Sequence, residues 1–145
     1  MKKDELTMAY LNKARVRLEA LTFYRERGAY SDVVREAQEL VELLLKGVLR
    51  AIGVEVPKVH DVSRALENNR DLLPTNLVAE LDEVKRISKR LRKERELAFY
   101  GAEDFVPTQE YDLTDADLAI KEAEFIYKLV SASFQENDGQ LDEGD

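Results

Sequence analysis

The chain has 145 residues, of which 44% are hydrophobic and 36% charged, and its 22 basic and 30 acidic side chains give a net charge of −8. A chain of this length is expected to form one domain with a substantial core. The acidic balance disfavours nonspecific binding of the whole surface to polyanions. Because the sequence contains no cysteine, disulfides and thiolate metal sites are excluded.

The sequence also bears on location and cofactors. No stretch is apolar enough to predict a membrane-spanning helix, and the amino-terminal MKKDELTMAY carries charges where a signal peptide needs an apolar run. We therefore expect a cytoplasmic protein that does not act at membranes. A single histidine and acids distributed along helix faces predict no metal site, and no cofactor is expected.

Hydrophobic periodicity predicts an all-α protein. Apolar residues spaced three and four apart predict a first helix over about residues 3–27, ended by Gly28, and a second over about residues 31–52, ended by Gly53. The apolar face of the second helix is broad enough for two neighbours, and this surplus predicts dimerisation.

Three further helices follow in the sequence. Asp61 is placed to cap a short helix, and Pro74 opens a long fourth helix that extends toward Tyr100. The last helix is predicted to begin at Thr114, which has capping-box spacing to Asp117. Its predicted buried residues are Ala116, Ile120, Ala123, Tyr127, Val130 and Phe134. The pattern predicts an up-and-down four-helix bundle with one additional short helix.

The carboxyl-terminal residues have a different composition. Residues 136–145 are rich in acidic residues and contain no base, so we expect a disordered acidic tail. The folded domain is accordingly predicted to span residues 1–135.

One segment of the predicted fourth helix is strongly basic. Residues 85–96, KRISKRLRKERE, hold seven basic and two acidic side chains, a local charge of +5 within an acidic chain. The predicted buried stripe of this helix consists of Leu77, Leu81, Val84, Ile87, Leu91 and Ala98. Arg95 falls roughly 30° from the centre of that stripe, whereas Lys89, Arg90 and Lys93 point elsewhere.

An arginine on an apolar stripe needs an anionic partner or water. Arg95 could form a partly buried ion pair with a glutamate of the second or last helix, or it could be stabilised by the helix dipole. Alternatively, it could lie in a polyphosphate or RNA site between helices. The outward-facing bases could likewise form only a solvated helix face.

Three segments in this order resemble a prokaryotic HEPN domain (higher eukaryotes and prokaryotes nucleotide-binding). They are YSDVVREAQELVELLLKGVL with GVEVPKVHDVSRAL, a long helix that ends in RELAFYGAED, and the last helix TDADLAIKEAEFIYKLV. The resemblance extends to about Phe134. It implies a helical bundle, a homodimer formed through the face that carries the functional arginine, and a minimal nucleotidyltransferase as partner in a toxin–antitoxin type of module.

Many HEPN proteins are metal-independent endoribonucleases with an arginine, four to six residues and then a histidine near the end of the long helix. The histidine transfers protons, and the arginine stabilises the developing phosphorane charge. In this chain, Arg95 followed by four residues reaches Tyr100, and Arg92 followed by six reaches Phe99. Since a tyrosine with a reference pKa of about 10 is a poor base at neutral pH, RNA cleavage by the usual route is in doubt.

Three other residues are candidate parts of a site. His60, the one histidine, lies in the linker and cap of the short helix, where the resemblance implies a structural role. Glu42 and Lys46 have the spacing of an ion pair along the second helix, although a carboxylate on that helix facing Arg95 would also suit the family.

Two hypotheses result. The first is a dimeric binding protein whose basic cleft, with Lys89, Arg92, Arg95 and Tyr100, holds a nucleotide or RNA phosphate and which pairs with a minimal nucleotidyltransferase. The alternative is a weak metal-independent endoribonuclease with Arg95 and Tyr100 as catalytic residues. We expect Tyr100 to lie beside Arg95 at the mouth of a cleft.

Overall fold

A computed structural model describes the backbone of residues 4–56, 62–99 and 110–143, and the side chains of residues 4–56, 62–94 and 110–134. The α-helices are α1 (Glu5–Glu26), α2 (Tyr30–Ala51), α3 (Val62–Asn68), α4 (Thr75–Ala79), α5 (Leu81–Phe99) and α6 (Leu113–Glu143), with a 3₁₀ turn at Arg70–Leu72. No strand occurs in these three backbone ranges. The prediction of an all-α bundle is confirmed.

Helix α2 forms the centre of the bundle. It packs against α1, α5 and α6, and also against the short α3. Nine of its apolar side chains are at most 2% exposed: Val33, Val34, Ala37, Leu40, Val41, Leu44, Leu45, Val48 and Leu49. Burying one such leucine or valine stabilises the fold by about 1.5–3 kcal/mol. The apolar face of α2 is therefore used inside one chain and does not support the predicted dimer, which stays a prediction.

Glycines end α1 and α2, as the sequence predicted. Gly28 has φ of +71° and Gly53 has φ of +80°, a left-handed conformation that glycine adopts without the penalty of a Cβ atom. The amide of Gly28 donates a hydrogen bond to the Arg25 carbonyl at 3.1 Å, and the amide of Gly53 donates to the Arg50 carbonyl at 3.0 Å. Both turns return the chain to the bundle.

The predicted fourth helix is two helices. It is interrupted at Glu80, which has φ of −108° and ψ of 11°, and whose amide donates to the Leu77 carbonyl at 3.2 Å in a tighter turn than the α-helix has. The Glu80 carbonyl then accepts from the Val84 amide at 2.9 Å and begins α5. The buried residues Leu77, Leu81 and Val84 keep helical spacing across the interruption, so their pattern could not reveal it.

The buried stripe of α5 was predicted correctly where side chains are described. Leu81, Val84, Ile87 and Leu91 are at most 1% exposed. The side chain of Ala98 lies outside the described residues. This stripe packs α5 against α2 and leaves its basic residues on the remaining faces.

Helix α6 begins with a different cap from the one predicted. Asp112, not Thr114, is the capping residue, since the Asp115 amide donates to Asp112 Oδ1 and the Asp112 amide donates to Asp115 Oδ2, both at 3.0 Å. Asp117, the predicted partner of Thr114, instead accepts from Arg25 Nε at 2.6 Å. The reciprocal pair is a capping box formed by two aspartates.

The core stripe of α6 is slightly rotated from the prediction. Ala116, Ala123, Val130 and Phe134 are buried as expected, but Ile120 and Tyr127 are only partly buried. Ala119 and Ile126 are fully buried beside them. The α6 backbone is helical to Glu143, across most of the segment 136–145 that the sequence predicts to be disordered. A domain boundary at residue 135 stays a prediction.

Candidate functional site

The basic residues of α5 lie on two different sides of the helix. On the side that faces α6, Arg90 Nε donates to Glu122 Oε1 at 2.6 Å, with a further contact from Arg90 Nη2, and Arg86 Nη2 donates to Glu122 Oε2 at 3.0 Å. Glu122 is 5% exposed. Its buried charge is compensated by two guanidinium groups, as a buried carboxylate requires.

Arg86 also binds the carboxylate of Glu83, at 2.6 Å and 2.9 Å. This hydrogen bond is the main cause that raises the pKa of Arg86, and it lowers the pKa of Glu83. The ion pair that the sequence offered as one explanation for Arg95 is thus present for Arg86 and Arg90. These two bases link α5 to α6, and we assign them a structural role.

The other side of α5 carries Lys85, Ser88, Lys89, Arg92 and Lys93, which are spaced three and four residues apart. Lys89 and Lys93 are exposed, whereas Ser88 and Arg92 are half-buried. Lys85 Nζ lies 3.7 Å from Glu67 Oε2 on α3. We call these five residues the basic face. It extends from solvent to the contacts of α5 with α2 and α3.

A small polar cleft lies at the edge of the basic face. Gln38, Val41 and Glu42 from α2, Val62 from α3 and Ser88, Leu91 and Arg92 from α5 line it. Its enclosed volume is about 10 Å³. That is room for about one water-sized group, so anything larger would have to lie outside the cleft.

The polar groups on the α2 side of the cleft are linked to each other. Gln38 Nε2 donates to Glu42 Oε2 at 3.3 Å, and Lys46 Nζ lies 3.7 Å from Glu42 Oε1. The predicted pair of Glu42 and Lys46 is therefore present. Gln38 Oε1 is buried and accepts no hydrogen bond from any of the described residues. Glu42 on the α2 side and Arg92 on the α5 side thus line the same cleft.

Of the other predicted site residues, the structure describes only the backbone of Arg95. Arg95 is in α5, seven residues after Ser88 and three after Arg92, a spacing that puts its backbone position on the cleft side of the helix. Its side chain, and all of Tyr100 and His60, lie outside the described residues. The contact of Arg95 with Tyr100 stays a prediction.

Tyr111, which was not predicted as a functional residue, links the segment before α6 to Glu94 of α5. Its hydroxyl lies 3.0 Å from the carbonyl oxygen of Glu94 and 2.9 Å from Glu94 Oε2. Burial, followed by the hydrogen bond to Glu94, raises its pKa. Glu94 directly precedes Arg95, so this contact anchors the helical turn that carries the predicted functional arginine.

The architecture is that of an all-α bundle with a basic helix beside a polar cleft, and comparison with known proteins identifies its family. The HEPN domain model matches residues 7–134, so the chain belongs to the HEPN family. The resemblance seen in the sequence is confirmed. Comparison with curated proteins gives no match.

A solved structure shares the fold. The crystal structure of TT1696 from Thermus thermophilus aligns with a TM-score of 0.70 and 23% sequence identity, and the alignment covers 88% of this chain and 97% of that one. At this identity the likeness shows the fold alone. In the described part of the chain, no helix is long and apolar enough to cross a membrane.

Proposed function

We propose that this HEPN-domain protein binds a nucleotide or RNA phosphate on the basic face of α5 and acts as a dimeric cytoplasmic partner of a minimal nucleotidyltransferase in a toxin–antitoxin-like module. The observation that supports phosphate binding best is the position of Arg92, which is half-buried and lines a polar cleft between α2 and α5. A guanidinium in that position can bind a phosphate through two parallel hydrogen bonds.

The division of charges along α5 supports the same site. Arg86 and Arg90 are held by Glu122, so they serve packing between α5 and α6. On the basic face, Lys89 lies one turn before Arg92 and Lys93 directly follows it. Both lysines are exposed and can add to the local positive potential. Because the rest of the chain is acidic, polyanions are favoured at this face and disfavoured elsewhere.

Arg95 extends the proposed site by one helical turn. Its place on α5 makes it the second proposed phosphate ligand, and Tyr100 is proposed beside it. Dimerisation through this face and the nucleotidyltransferase partner rest on membership of the family, whose members often dimerise. The apolar face of α2 contributes no argument here, since it is buried within the chain.

Fluorescence anisotropy with a short single-stranded oligoribonucleotide tests the binding site. We expect Arg92→Ala to weaken binding about tenfold and to reduce the dependence of log K on log salt concentration by about 0.7, the value for one phosphate contact with a single strand. Lys121→Ala is the matched control, because it removes one exposed positive charge from α6, beside Arg86 and away from the basic face.

An equal loss in both variants would mean that only the total charge matters and would refute a site at Arg92. The same preparations, incubated with structured RNA, test the alternative of a weak endoribonuclease with Arg95 and Tyr100. Cleavage that disappears in Arg95→Ala and in Tyr100→Phe would favour the enzyme. Binding that inorganic phosphate competes away, without cleavage, favours the binding protein.

A further inference from the structure

Helix α1 carries apolar side chains on two faces, of which one points into the bundle. The inner face buries Ala14 and Leu21 completely. The outer face carries Leu6, Val16 and Phe23, which are 46%, 55% and 52% exposed. Large apolar side chains that share one exposed helix face indicate a surface that another molecule covers. The outer face of α1 is therefore a candidate interaction surface.

The outer face follows a heptad pattern. Its residues recur in steps of three and four, from the first turn of α1 to the residue that caps its end: Leu6, Ala9, Lys13, Val16, Ala20, Phe23 and Arg27. Such spacing places side chains in one seam of the kind that pairs helices in coiled coils. An open groove of about 470 Å³ lies beside Val16 and Ala20 and extends to Glu36 of α2. Side chains of a second helix would find room there.

We propose that the outer face of α1 binds the same face of a second copy of the chain, with the two α1 helices antiparallel about a twofold axis. An interface of this symmetry pairs each residue of one copy with a different residue of the other, and every contact occurs twice. Three layers result: Leu6 with the partner's Phe23, Ala9 with the partner's Ala20, and Lys13 with the partner's Val16.

The charges beside the seam favour this arrangement. In the antiparallel register, Lys13 comes next to the partner's Glu19, and Arg27 comes next to the partner's Glu5. Each cation of the seam therefore meets a carboxylate. Arg27 also compensates for Glu26, which comes near the same carboxylate. A parallel pairing would instead place Lys13 against the partner's Lys13, and like charges in contact disfavour it.

Contacts within one chain are compatible with this pairing. Glu19 Oε1 accepts a hydrogen bond from Arg15 Nη1 at 3.2 Å in an exposed pair, and a carboxylate can bind a second cation. The guanidinium carbon of Arg27 lies 3.6 Å from the centre of the Phe23 ring, and a stacked guanidinium can still donate from its edge. The inference goes beyond the proposed function, because α1 contains none of the residues of the basic face.

Analytical ultracentrifugation of charge-reversed variants tests the register. We expect the wild type to dimerise, and Lys13→Glu and Glu19→Lys each to dimerise about tenfold more weakly, because each variant brings two pairs of like charges together. An equimolar mixture of the two variants should regain the wild-type affinity as a heterodimer. In that mixture, two carboxylates of one chain meet two ammonium groups of the other, which no effect within a single chain can imitate.

A second variant tests the apolar part of the seam. Val16→Glu places a charge in the centre of the interface and should abolish the dimer. Leu72→Glu is the matched control, because Leu72 is 56% exposed and lies on the 3₁₀ turn outside α1. It should leave the dimer unchanged. Thermal melting confirms the fold of each variant.

Each result decides the inference. Recovery of the dimer in the mixture, together with its loss in Val16→Glu, supports it. A wild type that stays monomeric at millimolar concentration overturns it, and so do weakened variants whose mixture stays weak. A dimer that the α1 variants leave intact also overturns it and indicates association through another face. All of these outcomes leave the proposed phosphate site standing, because that site is tested by binding of RNA.

Discussion

Arg90 of α5 binds the buried carboxylate of Glu122 on α6 through both Nε and Nη2. Arg86, one turn earlier, takes the second carboxylate oxygen at 3.0 Å. On one side of α5, the basic residues therefore stabilise the bundle by neutralising the buried carboxylate of Glu122. Its other side, with Arg92, borders the polar cleft between α2 and α5.

The first prediction concerns this buried charge. In the double variant Arg86→Ala/Arg90→Ala, the carboxylate of Glu122 loses both of its partners. We expect the free energy of unfolding to fall by about 3 kcal/mol. Urea unfolding followed by circular dichroism would measure the loss.

A third substitution supplies the control. Adding Glu122→Leu to the double variant removes the stranded charge and should restore most of the lost stability, because a leucine can pack at this site. If the triple variant is no more stable than the double variant, the loss comes from missing arginine packing and not from the buried carboxylate.

The second prediction concerns the start of α6. Asp112→Ala removes the side-chain acceptor for the Asp115 amide and should cost about 1 kcal/mol of unfolding free energy. Thr114→Ala is the matched control, since Thr114 is exposed and is not the capping residue. Thermal melting of both variants checks the assignment, and a larger loss in Thr114→Ala would move the cap back to the position predicted from the sequence.

The third prediction is a pH dependence at Tyr111. Burial and the bond to Glu94 raise its pKa in the folded protein, so the hydroxyl stays neutral there after the unfolded chain has begun to ionise. The stabilising effect is fully present below the unfolded pKa of about 10 and is lost as the pH rises through the folded pKa. Wild type should therefore lose stability above about pH 10 relative to Tyr111→Phe.

Urea unfolding from about pH 8 to about pH 11 measures this difference. Below about pH 10, Tyr111→Phe should be less stable than the wild type by about 1 kcal/mol, because the hydrogen bond to Glu94 is missing. The gap should narrow at higher pH. Parallel curves over the whole range would show that the hydroxyl has the same pKa in the folded and unfolded states and would contradict the assignment.

Much of the bundle follows from spacing, because burial repeats with the helical period. The stripe of Leu81, Val84, Ile87 and Leu91 was predictable for this reason, and so were the stops at glycine. The turn at Glu80 was not, since the apolar spacing continues through it. Local hydrogen bonds determine this turn, and they also make Asp112 the cap of α6 in place of the predicted Thr114.

The candidate site was less predictable than the bundle. Lys89 and Arg92 were predicted from local charge and stay predictions, whereas the buried Glu122 and Gln38 were not singled out, because their contacts depend on the fold. A signal existed for each. Gln38 interrupts the apolar pattern of α2 between Ala37 and Val41, and Glu122 directly precedes the buried Ala123. Sequence periodicity shows that such a residue is buried, but only the fold shows what it contacts.

The fourth prediction concerns assembly. A homodimer formed through the basic face would bring two like-charged surfaces together about a twofold axis. Light scattering at micromolar concentration should give about twice the monomer mass of 16.7 kDa. Because salt screens repulsion between the two faces, the dimer should become tighter as the salt concentration rises. A monomer mass at every salt concentration would exclude this assembly.

The last prediction separates two roles for Arg95. If Arg95 is there to receive a phosphate, Arg95→Ala should weaken the binding of RNA and leave the melting temperature unchanged or slightly higher, because a cation near an apolar stripe costs folding energy that a bound anion offsets. If Arg95 instead pairs with a buried carboxylate, the same substitution strands that carboxylate and should cost about 3 kcal/mol. Lys121→Ala is the control, since it removes one exposed positive charge from α6. A sharp drop in melting temperature for Arg95→Ala, in a protein whose wild type shows no salt-dependent binding of RNA, would assign Arg95 to the architecture of the bundle and remove it from the proposed site.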